Sequence, residues 1–350
     1  VNVLSISYAL APVNADAVGG AEVVLAQLDA ALVRAGQGSI VVAPAGSHVE
    51  GALVATPPVP AVIDDAARHR AIDASRRAAE YALATFTIDV VIAHGLDFEA
   101  TLPATTVPTV VVLHMPISFY APGTLERAAA RTNVHLVCVS RSQAADVPSG
   151  VPVRVVENGI DLARYAPRTH KHGYALALGR VCPEKNLPAA IAAARHASVP
   201  LLIAGAVFPY DAHERHFRDV IAPELGRGVR WLGPVQGARK RRLLAGARCV
   251  LVPSLVAETS SLVAMEALAS ATPVIAYPNG ALADVVEDGR TGLLVRDAHA
   301  MGDAIARVHE IDPRACRAAA EARFDLARTS ARWVDLLARI ASGREGERAA

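Results

Sequence analysis

A chain of 350 residues with 52% hydrophobic content is long enough for two domains of ordinary size, each with its own core. Lys and Arg number 35 against 34 for Asp and Glu, a net charge of +1, so no charge excess draws the protein toward nucleic acid or an anionic membrane surface. Cys138, Cys182, Cys249 and Cys316 are too scattered for a disulfide framework or zinc spacing, which points to a reducing cytoplasm, and no apolar run reaches the roughly 18 to 20 residues of a membrane-spanning helix.

In chain order, Val1 to Ser7 lacks a basic flank and leads into a glycine-containing loop, so it reads as a first core strand and not as a targeting segment. A loop from Tyr8 ends at Gly19-Gly20, and a helical stretch runs from Ala21 to Ala35. Further strands are expected at Ser39 to Ala43, Asp89 to Ala93, Thr109 to His114, Leu136 to Ser140 and Val153 to Glu157. The second half repeats the pattern at Tyr174 to Leu178, Pro200 to Ile203, Val229 to Leu232, Cys249 to Pro253, Pro273 to Ala276 and Gly292 to Val295. Short β-branched runs alternating with Ala-rich helical stretches predict an α/β protein with two doubly wound parallel sheets. Asp161 to Gly173, with Pro167, Arg168, His170, Lys171 and His172, breaks the apolar pattern like a linker. The expected domains are therefore 1–162 and 163–325, followed by a terminal helix at 326–342 and a polar tail at 343–350.

Open α/β sheets bind ligands at the carboxyl ends of their strands, and the residues suited to chemistry lie just after strands. Glu258 precedes, and Glu266 sits inside, a helix expected from about Ser260 to Ala269, which Ser and Thr side chains are placed to cap. Eight residues of helix span about 12 Å, comparable to a nucleotide's ribose, diphosphate and linked sugar, and the helix start between the two carboxylates offers unpaired N–H groups to an anion. On spacing alone, a solvated loop glutamate and a helix-surface glutamate fit equally well. Arg180 and Lys185 follow Gly179 at a strand end, where two cations suit a leaving diphosphate but also suit a solvated surface. Gly19 and Gly20 open a helix whose N–H groups suit a phosphate, or serve as a flexible turn. His114 ends a strand, and Arg239-Lys-Arg-Arg242 reads as a solvated helix face, with contact to a phosphate-rich acceptor or membrane surface as the other reading.

Glu258-x7-Glu266 between two apolar strands resembles the signature of retaining family 4 glycosyltransferases, which have the GT-B fold. The resemblance extends in the family's order through Gly19-Gly20-Ala21-Glu22, Val139-Ser140-Arg141-Ser142, Asn158-Gly159-Ile160-Asp161, Gly179-Arg180 with Pro183-Glu184-Lys185-Asn186, and Gly289-Arg290-Thr291-Gly292-Leu293-Leu294. It implies two Rossmann-like domains facing across a cleft, an acceptor-binding N-terminal one and a nucleotide-sugar-binding C-terminal one, with the last helix crossing back. It further implies transfer of a hexose-type sugar from a UDP- or GDP-sugar to a hydroxyl acceptor, without cofactor or metal.

In that picture Glu258 holds donor-sugar hydroxyls, Glu266 the ribose hydroxyls, and Arg180 and Lys185 the diphosphate. Gly19 and Gly20 approach the diphosphate, with Gly179 beside it. His114 lines the donor sugar as a positioning group and Val235 lies in the loop expected to meet the base. Many relatives carry Gly-Phe-Gly where this chain has Thr259-Ser260-Ser261; the backbone donors of Ser260, Ser261 and Leu262 still suit phosphate. The family's usual glycine after the lysine is Asn186 here, a residue that tolerates left-handed backbone. The acceptor is expected on the N-terminal domain, at loops Tyr8 to Val18, Gly46 to Asp64, Gly95 to Thr101 and Ile117 to Thr124, and a small molecule or glycan is favoured over a lipid. The alternatives are a sugar phosphorylase of the same fold and a non-catalytic sugar-nucleotide-binding subunit.

Overall fold

The computed structural model describes residues 1–343, so apart from Gly343 the polar tail expected at 343–350 lies outside the described residues. Two compact units form. The first comprises Val1–Glu157 and the chain from Arg328 onward, and the second is Asn158–Ala327. The sequence reading put these divisions at 162/163 and 325/326.

The first unit holds a seven-stranded parallel sheet of β1 (Asn2–Ile6), β2 (Gly38–Pro44), β3 (Ala52–Thr56), β4 (Val90–Ala93), β5 (Thr109–Leu113), β6 (Val134–Cys138) and β7 (Val153–Val155), in the order β3-β2-β1-β4-β5-β6-β7. Both faces are covered, which is why β4 and β5 are fully buried and, Thr109 apart, wholly apolar. Period-two alternation sends Leu4, Ile6, Val91, Val111 and Leu113 to one face, where Ala79 and Ala82 of the helix Asp65–Thr85 pack. Val3, Val90, Ile92, Val110 and Val112 go to the other face, against Leu28 and Leu32 of the helix Gly20–Arg34 and Trp333, Leu336, Leu337 and Ile340 of the terminal helix Leu326–Ala341.

β3 lies inside a stretch that the sequence reading assigned to loop. Asp29 creates its start: this buried carboxylate accepts from Ser39 Oγ (2.7 Å) and from the backbone N–H of Glu50 (2.6 Å), fixing the turn that turns the chain back along β2.

The second unit holds a six-stranded parallel sheet of β8 (Ala175–Leu178), β9 (Leu201–Ala204), β10 (Val229–Trp231), β11 (Cys249–Val252), β12 (Val274–Ala276) and β13 (Gly292–Leu294), in the order β10-β9-β8-β11-β12-β13. One face packs on Ala264, Met265 and Leu268 of the helix Leu262–Ala269, and the other on Ala190, Ile191 and Ala194 of the helix Leu187–His196.

Asp161 to Gly173 is not a linker. Tyr165 is buried, and the Lys171 ammonium donates to the carbonyls of Ala245 (3.0 Å) and Ser270 (3.2 Å) and to Thr272 Oγ1 (2.7 Å), so the segment is stitched to the second unit. Where the chain passes out again, Ile160 pairs with the opposite pass, accepting from Leu326 N–H and donating to the Phe324 carbonyl.

Candidate functional site

In each sheet the strand order reverses at one point, between β1 and β4 in the first unit and between β8 and β11 in the second. Crossovers leave such a pair in opposite directions and open a crevice at the strands' carboxyl ends. In the second unit, Gly179, Arg180 and Lys185 follow β8, and Ser254 and Glu258 follow β11.

Backbone geometry brings the two loops together. Gly179 adopts φ 152, a region that favours glycine, and its carbonyl lies only 1.6 Å from where a Cβ on Gly205 would stand. The Leu255 N–H donates to the Glu184 carbonyl (2.8 Å), joining the loops directly. Glu258 is fixed from behind by Gly280, whose φ of +60 and missing Cβ allow the Glu258 carbonyl to accept from Ala281 N–H at 2.8 Å.

The Lys185 ammonium and the Ser254 hydroxyl both donate to Glu258 Oε1. Burial pushes the Glu258 pKa up, but the charge and hydrogen bond of Lys185, the Ser254 bond and the charge of Arg180 outweigh it and hold the group below the ordinary carboxylate range. The Arg180 guanidinium lies over the Phe208 ring at 5.6 Å.

Thr259, Ser260 and Ser261 lead into the helix Leu262–Ala269. The expected side-chain cap is absent: Ser261, the N-cap residue, makes no side-chain capping bond and instead takes left-handed backbone, φ 50 and ψ 66. Ser260 is buried and accepts from Asn158 Nδ2 at 2.8 Å. The first N–H groups of this helix are the ones that a helix leaves unpaired. Asn186 is also left-handed, at φ 50 and ψ 44, in the conformation that its side chain tolerates.

Just over one turn into this helix, Glu266 is only 4% exposed. Its Oε1 accepts from the Tyr165 hydroxyl (2.7 Å) and from the Lys240 ammonium (2.7 Å). Lys240 belongs to the basic run 239–242, so that run is not wholly a solvated face. Val235 is buried in the core beside the loop after β10.

Gly19, Gly20 and His114 belong to the first unit. The Glu22 carboxylate folds back so that its Oε2 lies 1.9 Å from the position of a Cβ on Gly19, and this acid therefore already sits at the helix start. His114 follows β5, and its Nε2 hydrogen-bonds Nδ1 of His94, which follows β4, at 2.9 Å with the rings stacked. Burial pushes the His114 pKa down to about 4; burial and then the charge of His114 push His94 well down too. Gln143 locks the strand end, donating to the carbonyls on either side of His114, at Leu113 (2.7 Å) and Met115 (2.9 Å).

Residues 18–164 match the family described as Glycosyltransferase Family 4, and residues 173–310 match Glycosyl transferases group 1. Both halves of the chain thus match glycosyltransferase families. The chain is 46% identical over 99 residues to a D-inositol 3-phosphate glycosyltransferase of Nocardioides sp., covering 28% of this chain and 21% of that one. It is 31% identical over 196 residues to an alpha-maltose-1-phosphate synthase of Mycolicibacterium smegmatis, covering 49% and 50%. The matched part thus spans half or less of these relatives' length. Among solved structures, the GT-B fold is shared with sucrose-phosphate synthase of Thermosynechococcus elongatus (TM-score 0.80, 20% identity, 98% of this chain and 100% of that one). It is shared also with Anabaena HepE in complex with UDP and glucose (TM-score 0.74, 19% identity, 96% and 99%).

Four residues that hold the predicted site residues escape a reading of the sequence alone: His94, Gln143, Tyr165 and Lys240. His94 stands at a strand end just as His114 does, and that position is the signal that would have found it. Tyr165 and Lys240 reach Glu266 only through tertiary packing. No described helix is long and apolar enough to cross a membrane.

Proposed function

We propose that the chain transfers a hexose-type sugar from a UDP- or GDP-sugar to a hydroxyl acceptor, with retention of anomeric configuration. The observation that supports this best is the group of Arg180, Lys185 and Glu258 at the switch point of the second sheet, beside the start of the helix Leu262–Ala269. It combines one carboxylate suited to sugar hydroxyls with two cations and free N–H groups suited to a diphosphate. HepE, a neighbour in fold, was crystallised with UDP and glucose.

In the proposed reaction the bond from the anomeric carbon to the diphosphate oxygen breaks and its electron pair stays on the diphosphate. Arg180, Lys185 and the helix N–H groups stabilise that charge where it grows, which is the main source of acceleration and removes the need for a metal on the diphosphate. The acceptor hydroxyl attacks from the leaving-group side and gives its proton to a phosphate oxygen. Glu258 orients the donor sugar through its carboxylate, and Glu266 the ribose. His114, neutral at pH 7, is a positioning group for the donor sugar, held by His94 and Gln143.

Thermal-shift screening against UDP, GDP, ADP and TDP without divalent metal tests the donor class. The proposal expects UDP or GDP to raise the melting temperature and added magnesium to change the shift little. Stabilisation by inorganic phosphate alone would overturn it in favour of a phosphorylase.

A further inference from the structure

The loop that supplies Arg180 and Lys185 also supplies two side chains that the proposed reaction does not use. Cys182 Sγ, a Glu184 carboxylate oxygen and a His213 ring nitrogen all lie within 4.8 Å of one another. Cys182 is 1% exposed, whereas Glu184 and His213 are half-buried. His213 and His216 sit three residues apart in the helix Asp211–His216, a spacing that places them on one face. His213 Nδ1 and His216 Nε2 are both buried and have no hydrogen-bond partner. Leaving a buried polar atom unpaired is unfavourable, so the His213 imidazole, grouped with a thiol and a carboxylate and followed one turn later by a second imidazole with an unpaired nitrogen, describes a ligand set.

We infer that Cys182, Glu184 and His213 form a binding site for a zinc-class divalent cation, with His216 rotating in as the fourth ligand. One thiolate, one carboxylate and two neutral imidazoles suit the borderline softness of zinc, and a hard ion such as magnesium prefers oxygen ligands in an octahedron. Tetrahedral bonds of about 2.0–2.3 Å put ligand atoms roughly 3.5 Å apart, so the group closes by about 1 Å through side-chain rotation. Binding releases the Cys182 thiol proton, so the filled site, with one thiolate and one carboxylate against the divalent ion, is electrically neutral and puts no cationic charge beside Arg180.

The ion would bridge the loop after β8 to the segment after β9. The His213 ring contacts Tyr210 edge-on (5.3 Å) and Phe208 (6.4 Å), and Phe208 is the ring beneath Arg180. Cation binding would thus fix the platform on which Arg180 rests. The site itself goes beyond the proposed transferase reaction and does not depend on it.

The test uses the full reduced chain, stripped with a chelator and titrated with Zn²⁺ by calorimetry and with Co²⁺ by absorption. The inference expects one equivalent of each ion, with cobalt showing a thiolate-to-metal charge-transfer band and the intense d–d bands of four-coordination. Cys182→Ser should remove the charge-transfer band. His213→Ala and His216→Ala, at half-buried positions that tolerate change better than Cys182, should each weaken binding at least about tenfold. A double His196→Ala/His299→Ala variant, which removes the exposed group His196, His299 and Asp303, should leave the stoichiometric binding unchanged. Absence of saturable binding, a cobalt spectrum without the thiolate band, or binding lost in the His196/His299 variant and kept in His213→Ala would overturn the inference.

Discussion

The Lys185 ammonium, after β8, forms a salt bridge with the Glu258 carboxylate, after β11, so the cation and the acid lock together across the switch point of the second sheet. The bridge is mostly shielded, with side-chain exposures of 26% and 12%. Removing the lysine leaves a buried carboxylate unpaired. Lys185→Met should therefore lower stability at pH 7 by about 2 kcal/mol, a figure reduced from fully buried pairs because Lys185 retains some exposure. The folded pKa of Glu258 is depressed, so its contribution is present above the unfolded carboxylate value and fades as pH falls through the folded one. Urea denaturation of wild type and variant should show the difference at pH 7 shrinking steadily below pH 4.5.

The His94–His114 pair makes the first unit acid-sensitive. Both imidazoles are held neutral, with the His114 pKa pushed down to about 4 from its ordinary 6.5. The unfolded chain therefore binds protons below pH 6.5 that the folded chain refuses, and stability present above pH 6.5 is lost as pH falls toward 4. His94→Gln should remove the His94 share of this loss, while buried His114 keeps its own. Denaturation midpoints of wild type and H94Q across pH 4 to 7.5 would report this, and parallel curves would exclude His94 as a contributor.

Glu266 is oriented by two donors, Tyr165 and Lys240, both on its Oε1. If this carboxylate receives the ribose, Tyr165→Phe and Glu266→Gln should weaken nucleotide binding about 3- to 30-fold, corresponding to roughly 0.7–2 kcal/mol, the order of one hydrogen bond. Turnover at saturating donor should change less than affinity. Calorimetry with the nucleotide and with its 2′,3′-dideoxy form separates a ribose contact from a general loss of folding, because only the former makes variant and wild type alike toward the dideoxy form.

Ser261 holds left-handed backbone, the region that favours glycine. Left-handed backbone costs an L-residue about 1–2 kcal/mol, while glycine gives back about 0.5–1 through its freer unfolded chain. Ser261→Gly should thus raise stability by about 0.5 kcal/mol, and Ser261→Val, β-branched at positive φ, should lower it by more than about 1. Equal melting temperatures for the two variants would mean that the helix start relaxes around the side chain.

Strands such as β5 and β11 are legible in the sequence because both faces of a parallel sheet are covered and every residue can be apolar. β3 is not legible: it is an edge strand, mostly exposed, and its start depends on Asp29 more than twenty residues earlier. Glu258, Arg180 and Lys185 stand out because they follow strands in a motif with fixed spacing. Their mutual contact, and those of Glu266 with Tyr165 and Lys240, arise from packing between elements far apart in the chain. Asp161 to Gly173 has the polarity of a linker, yet Lys171 uses that polarity to satisfy buried carbonyls.

The central claim, that Arg180 and Lys185 stabilise a departing diphosphate, is tested most directly by single-turnover kinetics of Arg180→Ala with its nucleotide-sugar donor. The account predicts a fall of about 10² to 10³ in the chemical step with donor affinity changed only a few-fold, the mark of an interaction that strengthens in the transition state. A chemical step as fast as wild type would contradict it.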